Sequence, residues 1–140
     1  MRRARQLGCA LAIVLVLSSC ATPSIEEMGR GAIRQQAAEG MEWFRQFTAE
    51  VDTSDRDRVR SRFQGADVPH SFGWDPDGVF YADRYYRDHL TTSGGWWGKQ
   101  RTVSACVRYM AKPGGPAMAS VPCPDEPQFN ERVDENVSVP

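Results

Sequence analysis

The 140-residue chain is predicted to be an α+β protein, with one N-terminal amphipathic helix packed on a small antiparallel sheet of hairpins and one disulfide. Three observations predict it. Apolar residues recur every three or four positions from Ile25 to Val51, the spacing of one helix face. The string Phe72-Gly73-Trp74-Asp75-Pro76-Asp77-Gly78-Val79-Phe80-Tyr81 reads as a tight hairpin. Residues 102–112 alternate in polarity up to Pro113-Gly114-Gly115-Pro116, after which Ala117 to Cys123 returns along them. A composition of 41% hydrophobic and 25% charged residues is ordinary for a globular domain, and the length fits one such domain.

Residues 1–20 stand apart from that domain. Arg2, Arg3 and Arg5 precede an apolar stretch from Leu7 to Leu17, followed by the small residues Ser18 and Ser19 and then Cys20. About 11 apolar residues at 1.5 Å each fall short of a ~30 Å hydrocarbon layer, so the segment reads as a signal peptide and not as a membrane span. Leu17-Ser18-Ser19-Cys20-Ala21 resembles the lipobox of bacterial lipoproteins. The resemblance covers residues 1–21 only. It implies cleavage before Cys20, a diacylglycerol on the Cys20 sulfur, and a protein held by its lipid at the extracytoplasmic face of the cell membrane. The basic residues are nearly all Arg, Lys99 and Lys112 excepted, a bias typical of high-GC bacteria.

Cys9 falls in the discarded stretch, which leaves Cys106 and Cys123 as the free thiols of the mature chain in an oxidising compartment, where they are expected to pair. Residues 21–140 hold 14 basic against 18 acidic groups, and the excess acid lies in residues 124–140. A neutral body with an acidic end is not the electrostatic footprint of a nucleic-acid binder.

Ser24, three residues before Glu27, reads as a capping box that opens the helix. The predicted core stripe is Ile25, Met28, Ala32 or Ile33, Ala37, Met41, Phe44, Phe47 and Val51. Gly29, Gly31 and Gly40 each cost roughly 1 kcal/mol in a helix interior, so residues 21–31 are expected to form a short tether or frayed helix start, with the globular domain spanning 32–123. From Asp52 to Phe63, arginines stand at every second position, Arg56 to Arg62, which favours a strand with an Arg face; a short helix capped by Ser54 is the alternative. In the first hairpin, Asp75 and Asp77 are expected to bond nearby amides, and Gly78 to take positive φ.

Tyr85, Tyr86, His89 and Leu90 continue an aromatic region into Thr91-Thr92-Ser93-Gly94-Gly95-Trp96-Trp97-Gly98, a loop with two adjacent tryptophans. In the second hairpin Val103, Ala105, Val107, Tyr109 and Ala111 share one face and Ser104, Cys106, Arg108, Met110 and Lys112 the other. Pairing centred on the two glycines sets Cys106 opposite Cys123, within disulfide reach, although prolines at both ends of the turn leave the fine register open. Residues 124–140, acidic and proline-bearing, are expected to be a mobile tail.

No P-loop, dinucleotide turn, HExxH, GxSxG or zinc-type cysteine pair occurs in the sequence. Asp75-Pro76-Asp77-Gly78 falls short of a calcium loop, which would need Glu where Tyr86 stands. His70 near Asp67 and His89 near Asp88 are the only acid–base candidates, and two histidines near carboxylates are ordinary surface chemistry. The expectation is therefore a non-catalytic binding or scaffolding lipoprotein that meets another envelope protein, with no cofactor or metal. The alternative is a binder of cell-wall glycan or peptide. Under either reading the contact residues are Trp96, Trp97, Trp74, Tyr85 and Tyr86, because exposed aromatic rings anchor interfaces and stack on flat ligand faces.

Overall fold

The structure, a computed structural model, describes residues 23–64, 69–92 and 98–140. A long helix α1 (Ile25–Glu50) is followed by a short helix α2 (Arg56–Arg62) and the strands β1 (Ser71–Trp74), β2 (Phe80–Thr91), β3 (Gln100–Met110) and β4 (Ala117–Val121). A single turn α3 (Pro127–Asn130) and a two-residue strand β5 (Glu135–Asn136) end the chain. The strands β1 to β4 form an antiparallel meander in sequence order, and β5 joins β3 in parallel. The α+β architecture expected from sequence is what the chain forms.

The capping box is in place: the Ser24 hydroxyl accepts from the Glu27 amide at 3.1 Å, and the Glu27 carboxylate accepts from the Ser24 amide at 2.9 Å. From there α1 runs without a break, so Ile25 to Gly31 are helix and not tether. Of the glycines expected to fray it, Gly29 and Gly40 sit instead in the buried stripe, and Gly31 lies on the exposed side. A Cβ on Gly40 would collide with the hydroxyls of Tyr86 and Tyr109, which means the helix packs too closely there for any side chain. Ile25, Ile33, Ala37, Met41, Phe44 and Phe47 are buried as the stripe predicts. Met28 departs from it and is 42% exposed, because its neighbour Gly29 takes the inward position.

Residues 56–62 form a helix and not the strand that the alternating arginines suggested. The Asp55 side chain, and not Ser54, accepts from the Arg58 amide and caps it, while Val59 and Phe63, four apart, turn into the core. Two apolar residues at helical spacing outweigh the period-two arginines, whose side chains all remain in solvent.

The first hairpin forms as expected, except that among the described residues no amide bonds the Asp77 carboxylate. The Asp75 carboxylate accepts from the amides of Asp77 and Val79, Gly78 has φ of 78°, and Trp74 pairs with Phe80. β2 then continues to Thr91 and pairs with β3 along its length, from Tyr81↔Met110 to Thr91↔Gln100.

The second hairpin forms, with its register displaced by two residues from the glycine-centred one. Met110 faces Ala117 and Cys106 faces Val121. The Gly115 amide bonds the Lys112 carbonyl, so the tight turn is Lys112-Pro113-Gly114-Gly115, with Pro second and a positive-φ Gly (92°) third. That is the residue pair of a type II turn, and it moves the centre of the hairpin to Pro113-Gly114. Pro122, which cannot donate to the ladder, follows the last residue of β4, and beyond it Cys123 reaches Cys106 with Cα atoms 5.2 Å apart. The Cys106–Cys123 disulfide is present.

Residues 124–140 do not hang free as a mobile tail. β4 stops short of the first half of β3, whose edge is taken by Glu135 and Asn136 opposite Val103 and Ser104. The Asp134 amide bonds the Thr102 carbonyl and the Val137 amide bonds the Ser104 carbonyl, so that Val137 and Val139 are carried into the core. That core lies between α1 and the sheet, where Phe44 stacks on Phe80 at 5.9 Å and Phe47 on Phe63 at 4.7 Å.

Candidate functional site

Alternation along β2 sends Phe80, Ala82 and Tyr86 toward α1 and Tyr81, Asp83, Tyr85, Arg87 and His89 to the opposite face. Across the ladder the second face continues through Thr102, Ser104, Cys106, Arg108 and Met110, and then Ala117, Ala119 and Val121 on β4. The segment after Cys123 covers one half of this face. The Phe129 ring stands edge-on to Tyr85 at 5.0 Å, the Tyr85 hydroxyl donates to the Phe129 carbonyl at 3.0 Å, and Arg87 donates to the Glu131 carbonyl at 2.8 Å.

The other half is left open by the described residues and centres on an ion pair. Arg108 donates twice to Asp83, at 2.7 and 2.8 Å, and lays its guanidinium on the Tyr81 ring at 4.0 Å. Asp83 is only 5% exposed, so the pair is a fixed element of the sheet with both carboxylate oxygens engaged. Bonding to Asp83 raises the Arg108 pKa further above its usual value. His70 stands just before Ser71, the partner of Asp83, with its ring 5.2 Å from Phe129. Burial there lowers its pKa, against the opposing pull of Asp83 and Glu126, and so favours the neutral imidazole.

The described aromatics named from sequence do not share one surface. Trp74 donates its indole N–H to the Thr53 carbonyl at 2.8 Å, packs on Phe80, and carries the Arg56 guanidinium over its ring. Tyr86 faces α1, where Tyr109 donates to the Ala37 carbonyl at 2.9 Å and therefore receives the Tyr86 proton at 2.7 Å. Burial raises the pKa of both phenols. Tyr85, one residue away, is on the far side of the sheet under Phe129. Each of these rings is held by partners within the chain. Trp96 and Trp97, like Cys20 and Asp67, lie outside the described residues.

The two histidines are not brought together. His89 contacts the Thr102 hydroxyl through Nδ1 at 2.9 Å. The partner of Ser71, Asp83, is six residues back along β2, about 20 Å at strand spacing. Among the described residues no group of three His, Cys, Asp or Glu side chains could hold a metal ion, and no helix is long and apolar enough to cross a membrane.

Asp83, Arg108 and Tyr81 were missed in the sequence reading. An Asp directly after the apolar and aromatic run Val79 to Ala82 was the available signal, since Asp is depleted in strands unless paired. Its partner could not be named without the β2–β3 register, which an eight-residue connection does not set. No family model matches this chain, and comparison with curated proteins and with solved structures finds no match.

Proposed function

We propose that this protein is a lipid-anchored extracytoplasmic module that binds or scaffolds another envelope protein without catalysing a reaction. The observation that carries the reading is Leu17-Ser18-Ser19-Cys20-Ala21, a lipobox-like string that ends three residues before the capped start of α1. Such a string attached directly to a folded domain suits an anchor better than an internal helix. The Cys106–Cys123 bond supports it, because structural disulfides persist outside the cytoplasm.

The partner-facing surface in this reading is the open half of the sheet, around Tyr81, Arg108, Met110 and Ala119. Its ion pair supplies a rigid polar centre, and the small side chains of β4 leave room for a partner to approach. A photo-crosslinking residue in place of Ala119, in intact cells, is expected to capture one envelope protein, and the same residue in place of exposed Asp77 is not. Capture of glycan strands would support the alternative ligand class, and equal, unselective capture at both positions would contradict a docking role for the sheet face.

A further inference from the structure

We infer that the pole of the domain where α1 begins lies against the bilayer, with Met28, Lys99 and Gln100 at the lipid headgroups and the turns at Asp77 and Gly114 farthest away. This rests on the reading of Cys20 as the acylated residue. The geometry supplies the rest. The reciprocal capping bonds of Ser24 and Glu27 fix the first turn of α1, and only four residue steps separate Ser24 from Cys20. Fully extended, that tether spans at most about 14 Å. The helix it leads into has 26 residues and is about 39 Å long. The tether therefore holds the start of α1 within about 14 Å of the acylated residue, well under half the length of the helix.

That near end is also one end of the sheet. A Cβ on Gly29 would meet Leu90 and Val103, and Arg30 and Arg101 both reach Glu135, at 2.7 and 3.8 Å. The last rung of the β2–β3 ladder, Thr91↔Gln100, lies at this pole, and the first, Tyr81↔Met110, is ten residues along the strand at the other. Met28 gives the pole an apolar contact: it is the one exposed large hydrophobic side chain among the described residues. Lys99, exposed at the same pole, can lay its aliphatic stem on the surface with its charge at the headgroups.

A domain lying on its side would instead press the outer face of α1 on the membrane. That face carries Arg34, Gln35, Glu39, Glu42, Arg45 and Gln46, as much acid as base, unlike the Lys- and Arg-rich polar face of helices that rest in the interface. The upright orientation keeps Glu39 and Glu42 in water and leaves the open half of the sheet accessible from the side.

The test uses the acylated full-length product in vesicles of phosphatidylethanolamine and phosphatidylglycerol doped with a nickel-chelating lipid. Nitroxide labels are placed at exposed positions by Met28→Cys and, separately, Lys112→Cys, with the native disulfide kept oxidised. The expected result is relaxation by lipid-bound nickel several-fold stronger at position 28 than at 112. Equal or reversed relaxation on protein that floats with the vesicles would overturn the orientation and leave the anchor standing. Protein that does not float would remove the anchor, and the orientation with it. Neutron reflectometry of the unsubstituted protein on a supported bilayer checks the same point free of labels: a layer about 40 Å thick fits the upright domain, and one about half as thick contradicts it.

Discussion

At Gly40 the absence of a side chain lets α1 approach the sheet closely enough for Tyr109 to bond the Ala37 carbonyl. Gly40→Ala would improve helix propensity in isolation, yet here it must push apart two bonded phenols. It is expected to destabilise the protein by about 2 kcal/mol or more in urea unfolding, and a gain in stability would contradict the close approach. The Asp83–Arg108 pair predicts a different asymmetry. Arg108→Ala strands a nearly buried carboxylate and is expected to cost about 3 kcal/mol, whereas Asp83→Asn, which retains one acceptor oxygen, costs less; equal losses in urea unfolding would contradict the pairing. For His70, burial lowers the folded pKa below its ordinary 6.5, so the unfolded chain binds the proton more readily. This group's share of stability is present above 6.5 and is lost as pH falls through the window below it. An NMR titration is expected to place His70 below 6.5, and Phe129→Ala to raise it; a value above 6.5 would reverse the sign.

At the level of elements, what was legible was whatever the chain states locally. The capping box, the α1 stripe and the Asp75 turn could all be read, because each is decided by residues within a few positions of one another. Two local readings went wrong where a second local signal competed. Val59 and Phe63 at helical spacing, with Asp55 to cap them, prevailed over alternating arginines in α2, and the Pro113-Gly114 pair prevailed over Gly114-Gly115 as the centre of the turn. The C-terminal segment was illegible for another reason: its order depends on the vacant edge of β3, which exists only because β4 is short. Truncation after Val133 is therefore expected to cost several kcal/mol, since it uncovers that edge and removes Val137 and Val139, worth about 1.5–3 kcal/mol each when fully buried. A truncated chain with unchanged thermal unfolding would restore the mobile-tail picture. Removing the disulfide by Cys106→Ala with Cys123→Ala is expected to cost roughly 3 kcal/mol for a bridge spanning 17 positions, and to raise hydrogen exchange around Phe129 before the β2–β3 ladder.

For the whole molecule, the three described aromatic residues named from sequence do not gather on one surface: Trp74, Tyr85 and Tyr86 are each engaged within the protein, on two sides of the sheet. The open half-face around Arg108 could emerge only from pairing distant strands. The proposed biological role turns on the first twenty residues, because a short tether, a spent thiol at Cys20 and an oxidising surrounding for Cys106 and Cys123 all derive from them. Mass spectrometry of the N-terminal peptide of the protein extracted from membranes tests this most directly. The account predicts a chain beginning at Cys20 that carries diacylglycerol on its sulfur; a chain retaining residues 1–20 with an unmodified Cys20 would contradict it.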